Sequence, residues 1–159
     1  MSSDEMDIDA VVEALGVALD QQGRSVMTLT VLAGSMGGVL GTALKPTLRQ
    51  FVAAELEDTY LLVEKLSSLG GAPSFDVGEV QAKMSPAAAL EDLLELERAG
   101  VAALHKVIPH TGQEPHSEAL EHLLEHMIMR KQQQVDFLWH ATERDEPLIY
   151  NPDQVDLSS

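Results

Sequence analysis

The spacing of the apolar residues over four long segments limits this chain to a helical fold. In the segment "LEDLLELERAGVAALHKVI", residues 90–108, leucine, valine and isoleucine recur at alternating four- and three-residue steps. This is the spacing of one buried face of an α-helix. Almost no segment alternates with the two-residue period of a strand. The sequence therefore predicts an all-α fold.

Glycine and proline give the boundaries of the four helices. Gly37–Gly38 provides a left-handed stop for the first helix, and proline suits the first turn of the second and third. The expected helices are, in chain order, A from about Asp7 to Met36, B from near Pro46 to Gly70, C from Ser85 to near Pro109, and D from near Ser117 to about Arg144. The B–C connection, "GGAPSFDVGEVQAKM", is too long for a tight antiparallel turn. We therefore expect a four-helix bundle with a long crossover between helices B and C.

Length and charge limit the domain organisation and the partners. The 159 residues, 45% of them apolar, suit one domain. We expect the bundle to occupy residues 1–145 and an acidic C-terminal tail to occupy residues 146–159. The net charge of −16 argues against binding to nucleic acid or to an anionic membrane.

Two further features concern the location of the chain. The first residues, "MSSDEMDIDA", are acidic where a secretory signal needs a basic start, so a cytoplasmic location is predicted. The uncharged stretch 26–44 is almost long enough to span a bilayer, but it contains four glycines and several hydroxyl groups. We interpret it as a buried helix that runs into a turn, not as a membrane span.

Polar residues interrupt all four apolar stripes near mid-helix. Burying an unpaired charge costs several kcal/mol, so these interruptions are informative. The interrupting residues are Gln22 on helix A, Glu55 and Asp58 on helix B, Glu97 on helix C, and Lys131 and Gln134 on helix D. In a four-helix bundle these six side chains, called here the polar cluster, meet at one level of the core.

This layout is similar to the ferritin-like superfamily, and to its bacterioferritin branch in particular. The resemblance covers residues from about 8 to 142 and includes the "LGGAP" after helix B, the crossover length and the spacing from Gly71 to Glu97. In that family two helices each give one Glu, two helices each give a Glu-x-x-His pair, and together they hold two iron ions. The resemblance implies a ferritin-like bundle related to iron oxidation and storage proteins.

The ligand set of the family is largely replaced in this chain. Glu97 matches the lone Glu of helix C, and Glu55 matches the Glu of the helix B pair. Gln22 stands where helix A should supply Glu, and Asp58 stands where helix B should supply His. Leu56 stands where bacterioferritins have the methionine that binds haem, so no haem is expected.

Helix D departs from the family pattern in either of two alignments. Aligning on "VDFLW" places Lys131 and Gln134 at the Glu and His positions, and sliding by one residue places Arg130 and Gln133 there. Neither alignment retains a ligand. The resemblance therefore implies a degenerate di-iron site.

Three interpretations of the polar cluster remain open. Its three carboxylates and one lysine leave a formal charge near −2, which one divalent ion, iron or manganese, would balance. The negative charge is also balanced without a metal ion if Lys131 bridges two carboxylates, the third carboxylate is protonated and the glutamines donate hydrogen bonds. A working di-metal centre with altered ligands is the third interpretation.

These interpretations predict different functions. We expect a non-catalytic structural or binding role. The alternative is an iron-binding or ferroxidase-type metalloprotein that uses the reduced set Glu55, Asp58 and Glu97.

A weaker metal candidate lies on the surface of helix D. His122 and His126 are four residues apart, so both rings can reach one cation, and three glutamates surround them. Their positions around the helix place both side chains away from the apolar stripe. A solvated or intersubunit face is the alternative interpretation.

Helix A also predicts self-association. Its apolar residues occupy more than one face, and Gly16, Gly23 and Gly34 permit close approach of another element. Ferritin-like subunits commonly pair through such helices. We therefore expect at least a homodimer.

Overall fold

The computed structural model describes residues 5–83 and 85–142, which form a bundle of four α-helices. The helices are α1 (Ile8–Ser35), α2 (Gly38–Ser68), α3 (Pro86–His105) and α4 (Pro115–Ala141), with a short 3₁₀ helix at Ile108–His110. No strand occurs in the described ranges. The prediction of an all-α fold with one long connection, between the second and third helices, is confirmed.

Two helices begin where the sequence predicts. The Asp7 side chain accepts a hydrogen bond from the Ala10 backbone N–H at 3.2 Å, and the Ser85 hydroxyl accepts one from the Ala88 N–H at 3.5 Å. Each bond caps a backbone donor that has no partner within its helix.

The expected start of the second helix near Pro46 is wrong, because α2 begins at Gly38. Gly38 has a φ of 72°, a left-handed conformation that glycine adopts without strain, so the chain reverses there and re-enters a helix at once. Pro46 lies inside α2 and cannot donate to the Thr42 carbonyl. In the same part of α2, Gly41 lies so close to Met36 that a Cβ would clash with its side chain.

The third helix ends earlier than expected, at His105 and not near Pro109. Pro109 has no N–H to donate to the His105 carbonyl, so the α-helical hydrogen-bond pattern cannot continue through it, and the chain changes to the 3₁₀ helix Ile108–His110. The last helix begins at Pro115, two residues before Ser117, and ends at Ala141. Arg144, the expected end, and the acidic tail 146–159 lie outside the described residues.

Two apolar clusters fill the core, and each draws side chains from all four helices. One contains Leu15, Leu62, Leu104 and Leu124. The other contains Leu32, Leu48, Leu90 and Leu138. The polar cluster occupies the positions between them along each helix, as the interrupted stripes predict.

The crossover packs along α1. Phe75 lies against Gly23, where any Cβ would overlap the ring, and the Asp76 N–H donates to the Asp20 carboxylate at 2.9 Å. The close approach predicted at Gly23 is therefore made by the crossover of the same chain.

The uncharged stretch 26–44 does not form a single helix. A turn at Met36–Gly37 divides it between α1 and α2. Among the described residues, no helix is long and apolar enough to cross a membrane.

Candidate functional site

All six residues of the polar cluster are buried. None has more than 2% of its surface exposed, and Lys131 is among the largest fully buried side chains of the chain. The alternative alignment of α4 does not match this burial, because Gln133 is exposed while Lys131 and Gln134 face the core.

Lys131 lies between two carboxylates from different helices. Its Nζ donates to Glu55 Oε1 at 2.9 Å and to Glu55 Oε2 at 2.8 Å. It also donates to Glu97 Oε2 at 3.0 Å. Gly100 makes room for this side chain, since a Cβ there would lie 3.2 Å from both Lys131 Nζ and Cε. The ammonium group thus links α4 to α2 and α3.

Residues of α1 complete the hydrogen bonding of both glutamates. The Gln22 amide donates to Glu55 Oε2 and to the Glu55 backbone carbonyl at 3.2 Å. The Ser25 hydroxyl donates to Glu97 Oε1. Every carboxylate oxygen of Glu55 and Glu97 therefore accepts at least one hydrogen bond, as buried charged groups require.

Asp58 has a different partner, at the edge of the cluster. Its Oδ1 accepts a hydrogen bond from Arg130 Nη1 at 2.6 Å, and Arg130 Nη2 lies 2.7 Å from His126 Nε2. In the described part of the chain, Asp58 Oδ2 and both amide atoms of Gln134 are buried without a hydrogen-bond partner.

Burial and neighbouring charges shift three pKa values in the cluster. Burial, assisted by the charge of Glu97, raises the pKa of Glu55 to about 7. Burial also raises the pKa of Asp58, although the Arg130 charge opposes this. Burial by itself lowers the pKa of Lys131. The negative charges of Glu97 and Glu55 have a larger effect, and they raise the Lys131 pKa above its ordinary value. Lys131 is therefore an ammonium ion at neutral pH.

The positive charges of the cluster leave little for a metal ion to balance. Arg130 adds a second positive charge beside that of Lys131. The three carboxylates and the two cations together have a formal charge of −1, and protonation of Glu55 near pH 7 brings this charge to zero. A protonated lysine has no lone pair to offer a metal. Within residues 5–83 and 85–142, no group of three or more His, Asp or Glu residues is arranged to hold a metal ion. In this structure the three carboxylates of the cluster are all paired with Lys131 or Arg130.

The surface histidines have separate neighbours. His122 Nδ1 lies 3.6 Å from Glu125 Oε2, with most of the ring exposed, while His126 contacts Arg130. A cation at His126 would be repelled by the guanidinium group beside it. Leu56 is 60% exposed.

Sequence reasoning missed Ser25 and Gly100, although a signal for both was present. Each lies three residues after a member of the polar cluster on its own helix, after Gln22 and Glu97 respectively. Glu55 and Asp58 have the same spacing on α2, as Lys131 and Gln134 have on α4. A small or polar residue one helical turn along therefore recurs on all four helices.

Comparison with known proteins gives a match to the ferritin-like domain family over residues 12–146. A similar solved structure is a ferritin-like, diiron-carboxylate protein from Bacillus anthracis str. Ames, with a TM-score of 0.79 and 20% sequence identity. The match covers 86% of this chain and 98% of that one. At this identity the likeness concerns the fold alone. No curated protein matches the chain.

Proposed function

This chain belongs to the ferritin-like family, and we propose that it is a non-catalytic member with a structural or binding role. The supporting observation is the position of Lys131 Nζ, within 3.0 Å of carboxylate oxygens of both Glu55 and Glu97. An ammonium ion at this point neutralises the carboxylates in place of a metal.

The proposal follows from the chemistry that a di-iron centre requires. Two ferrous ions in a low-dielectric core need about four negative charges from their ligands, and hard carboxylate oxygens with imidazole suit them. The cluster supplies three carboxylates, two of which contact Lys131 and one of which contacts Arg130. Oxidation of ferrous iron, the chemistry that such a centre supplies, has no site of matching charge here.

The same contacts give the cluster a structural role. Lys131 on α4 bonds to α2 and α3, and Gln22 and Ser25 on α1 bond to the same two glutamates. All four helices therefore join through one hydrogen-bonded network. Such a network fixes the register of the helices, because sliding α2, α3 or α4 separates a buried charge from its partner, and sliding α1 removes a hydrogen bond from each glutamate.

A second candidate function rests on the unpartnered atoms at the edge of the cluster. Asp58 Oδ2 and the Gln134 amide are buried without a partner among the described residues, so oxygen donors remain for a cation. A metalloprotein of the iron-binding or ferroxidase type would combine Asp58 with Glu55 and Glu97. This candidate requires Lys131 to leave its two carboxylates.

Metal analysis of purified protein tests these two candidates. We expect iron and manganese far below one ion per chain after growth with either metal. The positive control restores the family's ligand set with Gln22→Glu, Asp58→His, Lys131→Glu and Gln134→His, and should bind close to two ions. One ion per wild-type chain supports the second candidate, and two ions contradict the proposal.

We also propose that the chain forms at least a homodimer. Leu56 and Tyr60 lie one helical turn apart on α2 and are 60% and 61% exposed, and Val17 and Met27 on α1 are nearly half exposed. A contiguous apolar patch on the surface is a common mark of a protein–protein interface. No haem is expected at this face, because Leu56 offers no ligand.

The variant Leu56→Asp/Tyr60→Asp tests this assembly. We expect the wild type to sediment as a dimer or larger at micromolar concentration. The double variant should dissociate at least about tenfold more readily, because charges replace the buried centre of the interface. Val39→Asp, at a residue 92% exposed at the start of α2, is the matched control and should not change the assembly. A monomeric wild type contradicts the proposal.

A further inference from the structure

A groove of about 320 Å³ lies between the N-terminal part of α1 and the C-terminal part of α3. The described residues that line it belong to α1, α3 and the 3₁₀ helix, and none of them belongs to α2 or to the polar cluster. The α1 residues are at positions 10, 13, 14 and 17, which share one face of that helix. We call this feature the α1–α3 groove.

Small side chains form the floor of the α1–α3 groove. Ala10 and Ala14 lie one helical turn apart on α1, and Ala103 contributes its methyl group from α3. Val17 extends the apolar surface by one further turn and is 47% exposed. Because three of these four side chains are single methyl groups, the apolar part of a ligand can lie close to both helices.

Side chains of both charges surround this apolar floor. Glu13 lies on α1, Lys106 lies three residues after Ala103, and His110 ends the 3₁₀ helix. The Asp7 N–H donates to the His110 carbonyl at 3.0 Å, which holds the 3₁₀ helix against the start of α1. In the part of the chain that the structure describes, Glu13, Lys106 and His110 form no ion pair. Their charged and polar groups can therefore bind a ligand.

We propose that the α1–α3 groove binds a free α-amino acid with a large apolar side chain. The ammonium group of the ligand donates to Glu13, and its carboxylate accepts from Lys106 and from the ring N–H of His110. The apolar side chain of the ligand covers the alanines of the floor. The volume lies at the lower end of the range of about 300–1,000 Å³ that is usual for small-molecule sites, which suits a ligand of this size.

The charge of the whole chain favours a zwitterion over an anion or a cation in this groove. At a net charge of −16, the protein repels a ligand that carries a net negative charge. A simple cation finds 26 acidic residues along the chain, so it gains no preference for this groove. A zwitterion has no net charge, and the groove offers each of its charged groups a partner of opposite sign.

An NMR titration of the isotope-labelled full chain with L-phenylalanine tests the proposal. We expect saturable binding at one site per chain, with the amide signals of Ala10, Ala14 and Ala103 among those that shift. Hydrocinnamate lacks the ammonium group and phenethylamine lacks the carboxylate, so each should bind at least about tenfold more weakly. L-Alanine keeps both charged groups but lacks the ring, and it should also bind at least about tenfold more weakly.

Matched variants locate the site. Glu13→Gln and Lys106→Met each remove one charge at an exposed position, and each should weaken binding at least about tenfold. Ala14→Phe fills the floor of the groove and should abolish binding. Ala119→Phe adds the same ring at an exposed alanine of α4 outside the groove, and should bind like the wild type. Equal helicity of the two phenylalanine variants by circular dichroism excludes misfolding.

The variant Leu56→Asp/Tyr60→Asp separates ligand binding from assembly. It should bind phenylalanine like the wild type, because neither residue lines the groove. Loss of binding in this variant would assign the groove to the subunit interface and overturn the proposal. Equal affinity for phenylalanine and phenethylamine would also overturn it, because Lys106 and His110 would then play no part. No saturation of the wild type up to about 10 mM phenylalanine would contradict it as well.

Discussion

Replacing Lys131 with methionine is expected to lower the free energy of unfolding by about 3–5 kcal/mol, the usual cost of leaving a buried charge without its partner. The substitution removes three hydrogen bonds and the positive charge between Glu55 and Glu97. Two buried carboxylates then face each other uncompensated. Urea unfolding followed by circular dichroism measures the loss.

The pH of the experiment supplies a second signature of the same substitution. At pH 5, below its pKa of about 7, Glu55 is protonated in the folded protein, which removes its repulsion with Glu97. At pH 8, above that pKa, protonating Glu55 costs free energy, so the repulsion is not relieved as easily. The loss for Lys131→Met should therefore be larger at pH 8. Lys106→Met, at an exposed position, should change stability by less than about 0.5 kcal/mol at either pH. A Lys131→Met protein as stable as the wild type contradicts the ion-pair cluster.

Glu55 is expected to make the wild-type protein less stable as pH rises from about 4.5 to about 7. Its pKa is about 7 in the folded chain against 4.5 when exposed, so in this window the folded state holds more protons than the unfolded state. The free energy of unfolding then falls with pH, by about 3 kcal/mol in total at 1.36 kcal/mol per pKa unit. Asp58, whose pKa is also raised, acts in the same direction.

Comparison with Glu55→Gln isolates the contribution of this one group. Glutamine cannot lose a proton, so the variant should show a flatter profile between pH 5 and pH 8, and the difference between the two profiles is the Glu55 contribution. Acidic groups outside the polar cluster affect both proteins alike. A Glu55→Gln profile parallel to that of the wild type would show that Glu55 is ionised in both states throughout this range.

The level of the polar cluster and the helix faces of its residues could be predicted from the sequence because helical periodicity fixes which side chains share a face. Gln22, Glu55, Glu97 and Lys131 all interrupt a stripe of leucines, and all four lie buried in one network. Periodicity alone also separates buried from exposed polar residues on α4, where Gln133 faces solvent and Gln134 does not.

The pairings across helices could not be read in the same way. Arg130 lies beside the α4 stripe and reaches Asp58 only because its long side chain extends over the edge of the core. That contact depends on helix separation and rotation, which one helix's sequence does not specify. Similarly, Pro46 indicated a helix start because proline suits a first turn, whereas α2 already begins at Gly38 and continues through the proline.

Melting temperature with and without ferrous ion, under anaerobic conditions, tests most directly whether Lys131 has replaced iron. A ligand that binds only the folded state stabilises it by about 2.7 kcal/mol at one hundred times its dissociation constant, so a tight site raises the melting temperature by several degrees. We expect no rise for the wild type and a clear rise for the variant with the restored ligand set, Gln22→Glu, Asp58→His, Lys131→Glu and Gln134→His. A wild type that melts several degrees higher with stoichiometric iron, alongside a Lys131→Met variant that is no less stable, would show that the centre still binds metal.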